Sequence, residues 1–86
     1  MEEFMRKFLQ LNNKNAKILL EHCLFDKQMH YCENMQIIND DKIIGIILKN
    51  QEIFVSKQDI KLAKAYDNMF ILSDGRLQMT IIVSKV

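Results

Sequence analysis

Proline and tryptophan are absent from this chain, and glycine occurs only twice. Without proline there is no rigid kink or Pro-rich linker to divide it. With Gly45 and Gly75 standing alone, there is no glycine-rich loop to cradle a phosphate. Two cysteines, Cys23 and Cys32, are too few for a disulfide framework. Twelve Lys and Arg offset eleven Asp and Glu, so a net charge of +1 withholds the broad positive field that steers proteins onto phosphate backbones. No apolar run nears the ~20 residues of a membrane-spanning helix. The opening MEEFMRKFLQL has neither the basic start nor the apolar centre of a secretory leader. These absences lead us to expect a cytoplasmic protein in which both thiols stay reduced.

What is present is apolar residues in quantity. Eighty-six residues, 49% of them apolar and 27% charged, suffice for one domain over residues 1–86, at a size where pairing with another chain often helps. The wealth of Ile, Asn and Lys reads as the imprint of an AT-rich coding sequence; apart from composition, compact binding proteins of this size are frequent products of phage and plasmid genes.

The spacing of apolar residues changes near Glu33. Before it, Phe4 and Phe8, and Met5 and Leu9, recur at helical intervals, with Glu2 and Glu3 where a helix dipole favours negative charge; a first helix is expected over Glu2 to Leu11. The run Asn12, Asn13, Lys14, Asn15 breaks it. Ala16, Leu19, Leu20, Cys23 and Leu24 then repeat at three and four, which predicts a second helix over Ala16 to Phe25. Residues 1–32 are thus expected to be helical and 33–86 to be β.

After Glu33 strands are expected over Met35 to Asn39, Lys42 to Lys49 and Glu52 to Ser56, joined by turns at Asp40-Asp41 and Asn50-Gln51. Gly45 marks a bulge or a close backbone approach. The Asp74-Gly75 pair sets a hairpin between Met69 to Leu72 and the alternating run Leu77, Met79, Ile81, Val83. Ser56 and Asp59 resemble a capping box ahead of a short helix carrying Ile60, Ala63 and Tyr66, although Ile60 and Leu62 also fit a two-residue alternation. The expected fold is α+β: two N-terminal helices followed by a small antiparallel sheet or an SH3- or Sm-like barrel of about five strands. The strand sequences carry none of the motifs that would assign the chain to such a family.

The densest chemical cluster is His22, Cys23, His30 and Cys32. Adjacent ligands on a helix diverge by about 100°, whereas zinc sites pair ligands two to four residues apart on a turn, so no metal and no cofactor is expected. Cys32 and His30 would share one face of a strand but lack a third group to orient them, which leaves an enzyme the weakest reading. Asp40 and Asp41 are accounted for by a polar turn.

Six methionines, Met1, Met5, Met29, Met35, Met69 and Met79, are many for this length, and Met suits both cores and adaptable interfaces. Ile43, Ile44, Ile46, Ile47 and Leu48 make one strand apolar on both faces, so one face must meet a barrel wall, a second sheet or another chain. The functional expectation is therefore a small non-enzymatic regulator or inhibitor that covers a surface of a protein partner, or pairs with a second copy of itself. Its candidate contacts are Ile44, Ile46, Met69, Tyr66 and Phe70. The alternative is a nucleic-acid-binding domain whose Lys57, Lys61 and Lys64 line one helix face, diluted by Asp59 and Asp67.

Overall fold

Most of the chain carries apolar residues at a period of two, and most of it is strand. The computed structural model describes residues 2–49 and 51–84. Helix α1 (Glu2–Leu9) is followed by β1 (Ala16–His22), β2 (Phe25–Cys32), β3 (Gln36–Asn39), β4 (Ile43–Leu48), β5 (Gln51–Ser56), β6 (Leu62–Ala65), β7 (Met69–Ser73) and β8 (Leu77–Val83). They build two antiparallel sheets, one of five strands in the order β2-β1-β8-β7-β6 and one of three in the order β3-β4-β5. The α+β class, the first helix, β4 and the Asp74-Gly75 hairpin agree with the sequence reading.

Three expectations are corrected. The helix expected over Ala16 to Phe25 is strand β1, its turn and the first residue of β2, so the β part begins at Ala16 and not at Glu33. Its helical spacing is incidental: Ala16, Ile18 and Leu20 are buried on one face, and Leu19 faces the other way. The helix expected after Ser56 is a 3-10 turn over Lys57–Asp59, and the Ser56 side chain makes no capping bond; the chain then re-enters the sheet as β6. Among the described residues there are eight strands rather than about five, and they do not close a barrel, because β2 and β6 end the larger sheet unpaired with each other and the three-stranded sheet shares no ladder with it. The expected turn at Asn50 lies outside the described residues.

The core lies between α1, the inner face of the five-stranded sheet and the inner face of the three-stranded sheet. Phe4 and Phe8 stack 5.4 Å apart on α1, and each meets Phe70 of β7 edge-on, at 6.1 and 6.2 Å. Such aromatic contacts pin the short helix, which would be marginal alone. Ile18, Met79, Ile81 and Leu72 from the larger sheet join Ile44, Ile46 and Val55 from the smaller one in the same buried cluster.

The asparagines after α1 do more than end a helix. Asn13 adopts φ 70°, a left-handed conformation that Asn tolerates well, and its N–H donates to the Met35 carbonyl at 2.7 Å. The Asn12 side-chain oxygen accepts the Ile37 N–H at 3.1 Å, and that of Asn15 accepts the Asn34 N–H at 3.0 Å. The run thus supplies an acceptor along the free side of β3, an edge that would otherwise offer unpaired groups to other chains.

Gly45 is the close approach that its position suggested. It faces Phe54 across the β4–β5 ladder, and a Cβ there would fall inside the contact shells of the Ile53 carbonyl oxygen and the Phe54 backbone.

Candidate functional site

In an antiparallel ladder, directly opposed residues share a face, so the register separates the two surfaces of the larger sheet. Leu19 opposes Met29 on β2 and Thr80 on β8, while Lys17 opposes Tyr31 and Ile82. Met69 opposes Ile82, Ile71 opposes Thr80, and Lys64 opposes Ile71. All of these lie on the face turned away from α1 and the smaller sheet. None of its large apolar members, Leu19, Met29, Tyr31, Met69, Ile71 and Ile82, belongs to the core or packs against it.

Met29 is 58% exposed, Tyr31 65% and Ile82 36%, whereas their neighbours Ile18 and Ile81 on the inner face are fully buried. Thr80, 9% exposed, fills the centre beneath the larger side chains. Charged groups of both signs stand on and around it, with Glu21 and Asp26 among the lysines. Lys17 holds its ammonium 5.6 Å from the centre of the Tyr31 ring, Lys64 projects from β6, and Lys27 reaches Glu21 at 3.9 Å. This is an apolar, methionine-containing surface with a charged margin, the composition that marks interaction sites on small proteins. A smaller outer surface on the three-stranded sheet carries Ile38, Ile43 and Ile47 beside Phe54.

Of the contact residues expected from sequence, Met69 lies on this face. Tyr66, 48% exposed, sits in the turn before it and donates its N–H to the Met69 carbonyl at 2.8 Å. Ile44 and Ile46 are fully buried and Phe70 nearly so, because their strand positions point inward; they hold the domain together and are not available to a partner. The lysines do not form the expected strip, since no helix gathers them. Lys57 donates its ammonium to the Asp40 carbonyl, Lys61 lies beside the Gly75 turn, and Lys64 stands on the outer sheet face.

The histidines and cysteines are also spread out. Cys23 is exposed in the β1–β2 turn, while Cys32 ends β2 opposite Ala16. His22 Nδ1 accepts the Leu24 N–H at 3.0 Å, and its ring lies 5.0 Å from that of Phe25. His30 Nε2 pairs with the Gln28 side-chain oxygen at 3.1 Å. Burial pushes the Cys32 thiol up, away from the thiolate a nucleophile needs. Among the described residues no three His, Cys, Asp or Glu gather as for a metal ion. The cleft lined by Asp41, Lys42, Ser56, Lys57 and Gln58, of about 310 Å³, is open to solvent.

Two acids serve turns. Asp40 accepts the N–H groups of Lys42 and Ile43 at 2.7 and 2.8 Å, and Asp74 those of Arg76 and Leu77 at 2.9 and 2.8 Å. These bonds hold both carboxyls below the usual range, led by the Lys42 N–H for Asp40 and the Leu77 N–H for Asp74.

The chain matches no protein-family model. Curated proteins and solved structures likewise give no significant match. The functional reading therefore rests on this chain's own surface.

Tyr31, Ile71 and Ile82 are not among the residues the sequence points to; Leu19 enters there only as part of an expected helix, and Met29 only among the methionines suited to cores and interfaces. A signal for part of them existed: Gln28-Met29-His30-Tyr31 alternates polar and apolar and contains a strand-favouring aromatic.

Proposed function

We propose that this is a non-enzymatic binding protein that docks the outer face of its five-stranded sheet onto a protein partner. The observation that carries the reading is that Leu19, Met29, Tyr31, Met69, Ile71 and Ile82 lie on one apolar face that no other element covers, while the opposite face of β1, β7 and β8 carries the buried core. The partner surface that fits is apolar with charges of both signs at its margin, since Lys17, Lys27 and Lys64 stand among Glu21, Asp26 and Glu33. Regulation or inhibition follows from occupancy: covering a surface blocks whatever else would bind there.

The test is affinity capture from nuclease-treated host extract with the unaltered chain and with Ile71→Asp and Ile82→Asp, each first shown to be folded. A protein retained by the unaltered chain and lost with both variants supports the reading. Equal retention by all three, or none by any, refutes it. The nuclease removes partners bridged through nucleic acid.

A further inference from the structure

A sheet edge is a template for another strand unless something covers it. The asparagine run serves β3, and α1 lies along β6, where Glu3, Phe4 and Lys7 border Ala63 and Ala65. Strand β2 is different. It is the longest strand, with six of its eight residues exposed, and among the described residues no hydrogen bond from another element reaches its free side.

Its inner register limits how it can pair with itself. Leu20 faces Gln28 while His22 faces Phe25, so Asp26 and Lys27 together oppose the single residue Glu21. That bulge leaves Gln28–Cys32 as the regular stretch. In an antiparallel two-fold ladder a residue must face its own copy, because opposed residues turn their backbone groups the same way. Centring on His30 is the arrangement that keeps every pair within the regular stretch.

We propose that the chain associates with a second copy of itself by antiparallel pairing of β2 along this free edge, with His30 on the two-fold axis. Met29 then faces the second copy's Tyr31, twice, on the outer surface, a sulfur–aromatic contact. Gln28 faces the second copy's Cys32. Just beyond the ladder, Lys27 meets the second copy's Glu33, again twice, so the ends are complementary in charge. Other centres are worse: one on Met29 draws Asp26 and Lys27 of the bulge into the ladder, and one on Tyr31 sets Met29 against Glu33. On the other long edge, β5, registers that retain Phe54 offer no opposed charges. The result is a continuous ten-stranded sheet. This pairing deepens the protein-binding reading by naming a partner, yet it engages the edge of β2 and leaves the face at Ile71 and Ile82 free.

The experiment uses the full chain with Cys23→Ser and Cys32→Ser, carrying either His30→Cys or Gln28→Cys, each checked for an unchanged thermal transition. Under mild oxidation, His30→Cys should cross-link to its copy at least ~10-fold faster than Gln28→Cys, because opposed Cα atoms lie within disulfide reach whereas the two copies of position 28 are about 13 Å apart along the strand. With Cys32 retained, Gln28→Cys should cross-link to it between chains. Equal rates, faster reaction of Gln28→Cys without Cys32, or no covalent dimer would overturn the proposal. A second measurement uses sedimentation equilibrium. The unaltered chain should rise toward twice the monomer mass with concentration, and folded His30→Lys, which opposes two ammonium groups, should remain monomeric. A chain monomeric throughout, or a dimer unaffected by His30→Lys, refutes the pairing. Loss of heterologous capture with Ile71→Asp and Ile82→Asp reports separately on the face.

Discussion

Replacing Ile46 by Ala should cost several times more than the same change at Ile47, though the two are adjacent and chemically identical. Ile46 is fully buried and opposes Ile37 and Ile53 inside the core; Ile47 is half-buried on the outer face and opposes Gln36 and Glu52. Ile to Ala removes the equivalent of three methylenes, about 2.4 kcal/mol of transfer energy at ~0.8 each. The cavity left between two sheets adds to this, placing Ile46→Ala within the ~2–5 kcal/mol typical of such truncations. At Ile47 solvent already reaches part of the side chain and fills the space it leaves, so roughly 1 kcal/mol is expected.

A domain of 86 residues holds roughly 4–13 kcal/mol in all, so Ile46→Ala removes a large share of it. Urea unfolding followed by far-ultraviolet circular dichroism is the assay. With a slope of ~1–2 kcal/mol/M the midpoint should fall by more than ~1 M for Ile46→Ala and by about half that or less for Ile47→Ala, at unchanged slope. Aspartate sharpens the contrast: Ile46→Asp buries an unpaired charge and should unfold the chain, whereas Ile47→Asp should remain folded. Equal costs at the two positions, or less than ~1 kcal/mol at Ile46, would refute the assignment of inner and outer faces on β4.

Gly45→Ala should destabilise more than Ile46→Ala despite adding a single methyl, because the new Cβ collides with backbone at Ile53 and Phe54 and the β4–β5 ladder must part; a melting temperature within a few degrees of the parent's would contradict this. Asp40 and Asp74 titrate low in the folded state, so their stabilisation is complete above the ordinary carboxylate pKa and is lost as pH falls through the depressed values. Asp74→Asn keeps the accepting oxygen but cannot titrate, so its urea midpoint should fall less steeply on acidification, and an unchanged acid slope would count against the turn's contribution. Since Lys57, Lys61 and Lys64 share no face, binding of DNA or RNA at low salt should be absent or unaffected by their joint replacement with Ala; binding lost in that triple variant, with a steep salt slope in the parent, would restore the nucleic-acid reading.

The elements that were legible are those where local chemistry and burial agree. Asp74-Gly75 supplies a turn with Gly75 at φ 93°, and Leu77, Met79 and Ile81 alternate inward behind it. The Phe4–Phe8 pair marks a helix because both side chains reach the same buried aromatic, Phe70. The segment after Ser56 is too short to be legible: its helix-like spacing covers too few residues to tell a single turn from a helix, and β6 has four.

The misreading of β1 has a different cause, and that cause bears on function. A strand is recognised by polar residues on its open face, and in Ile18-Leu19-Leu20 the open-face position is filled by Leu19, which turns alternation into a continuous run that mimics a helical stripe. Ile81-Ile82 on β8 and Phe70-Ile71-Leu72 on β7 repeat the substitution with Ile82 and Ile71. These three outward residues come from three adjacent strands and meet through Thr80 at the centre of one surface. Packing of the isolated domain does not require them, because the opposite faces already complete the core. An outward residue free of packing constraints would ordinarily be polar, and three such exceptions on neighbouring strands converge on one contiguous patch. The departures that hide the fold from pattern reading are therefore the same residues that make the outer sheet face apolar. Restoring polarity there, by Leu19→Thr, Ile71→Thr and Ile82→Thr, should cost at most about 1 kcal/mol per residue, as at Ile47, while the combined variant abolishes partner capture; a loss of ~2 kcal/mol or more from any one of the three would mean that the face belongs to the core after all.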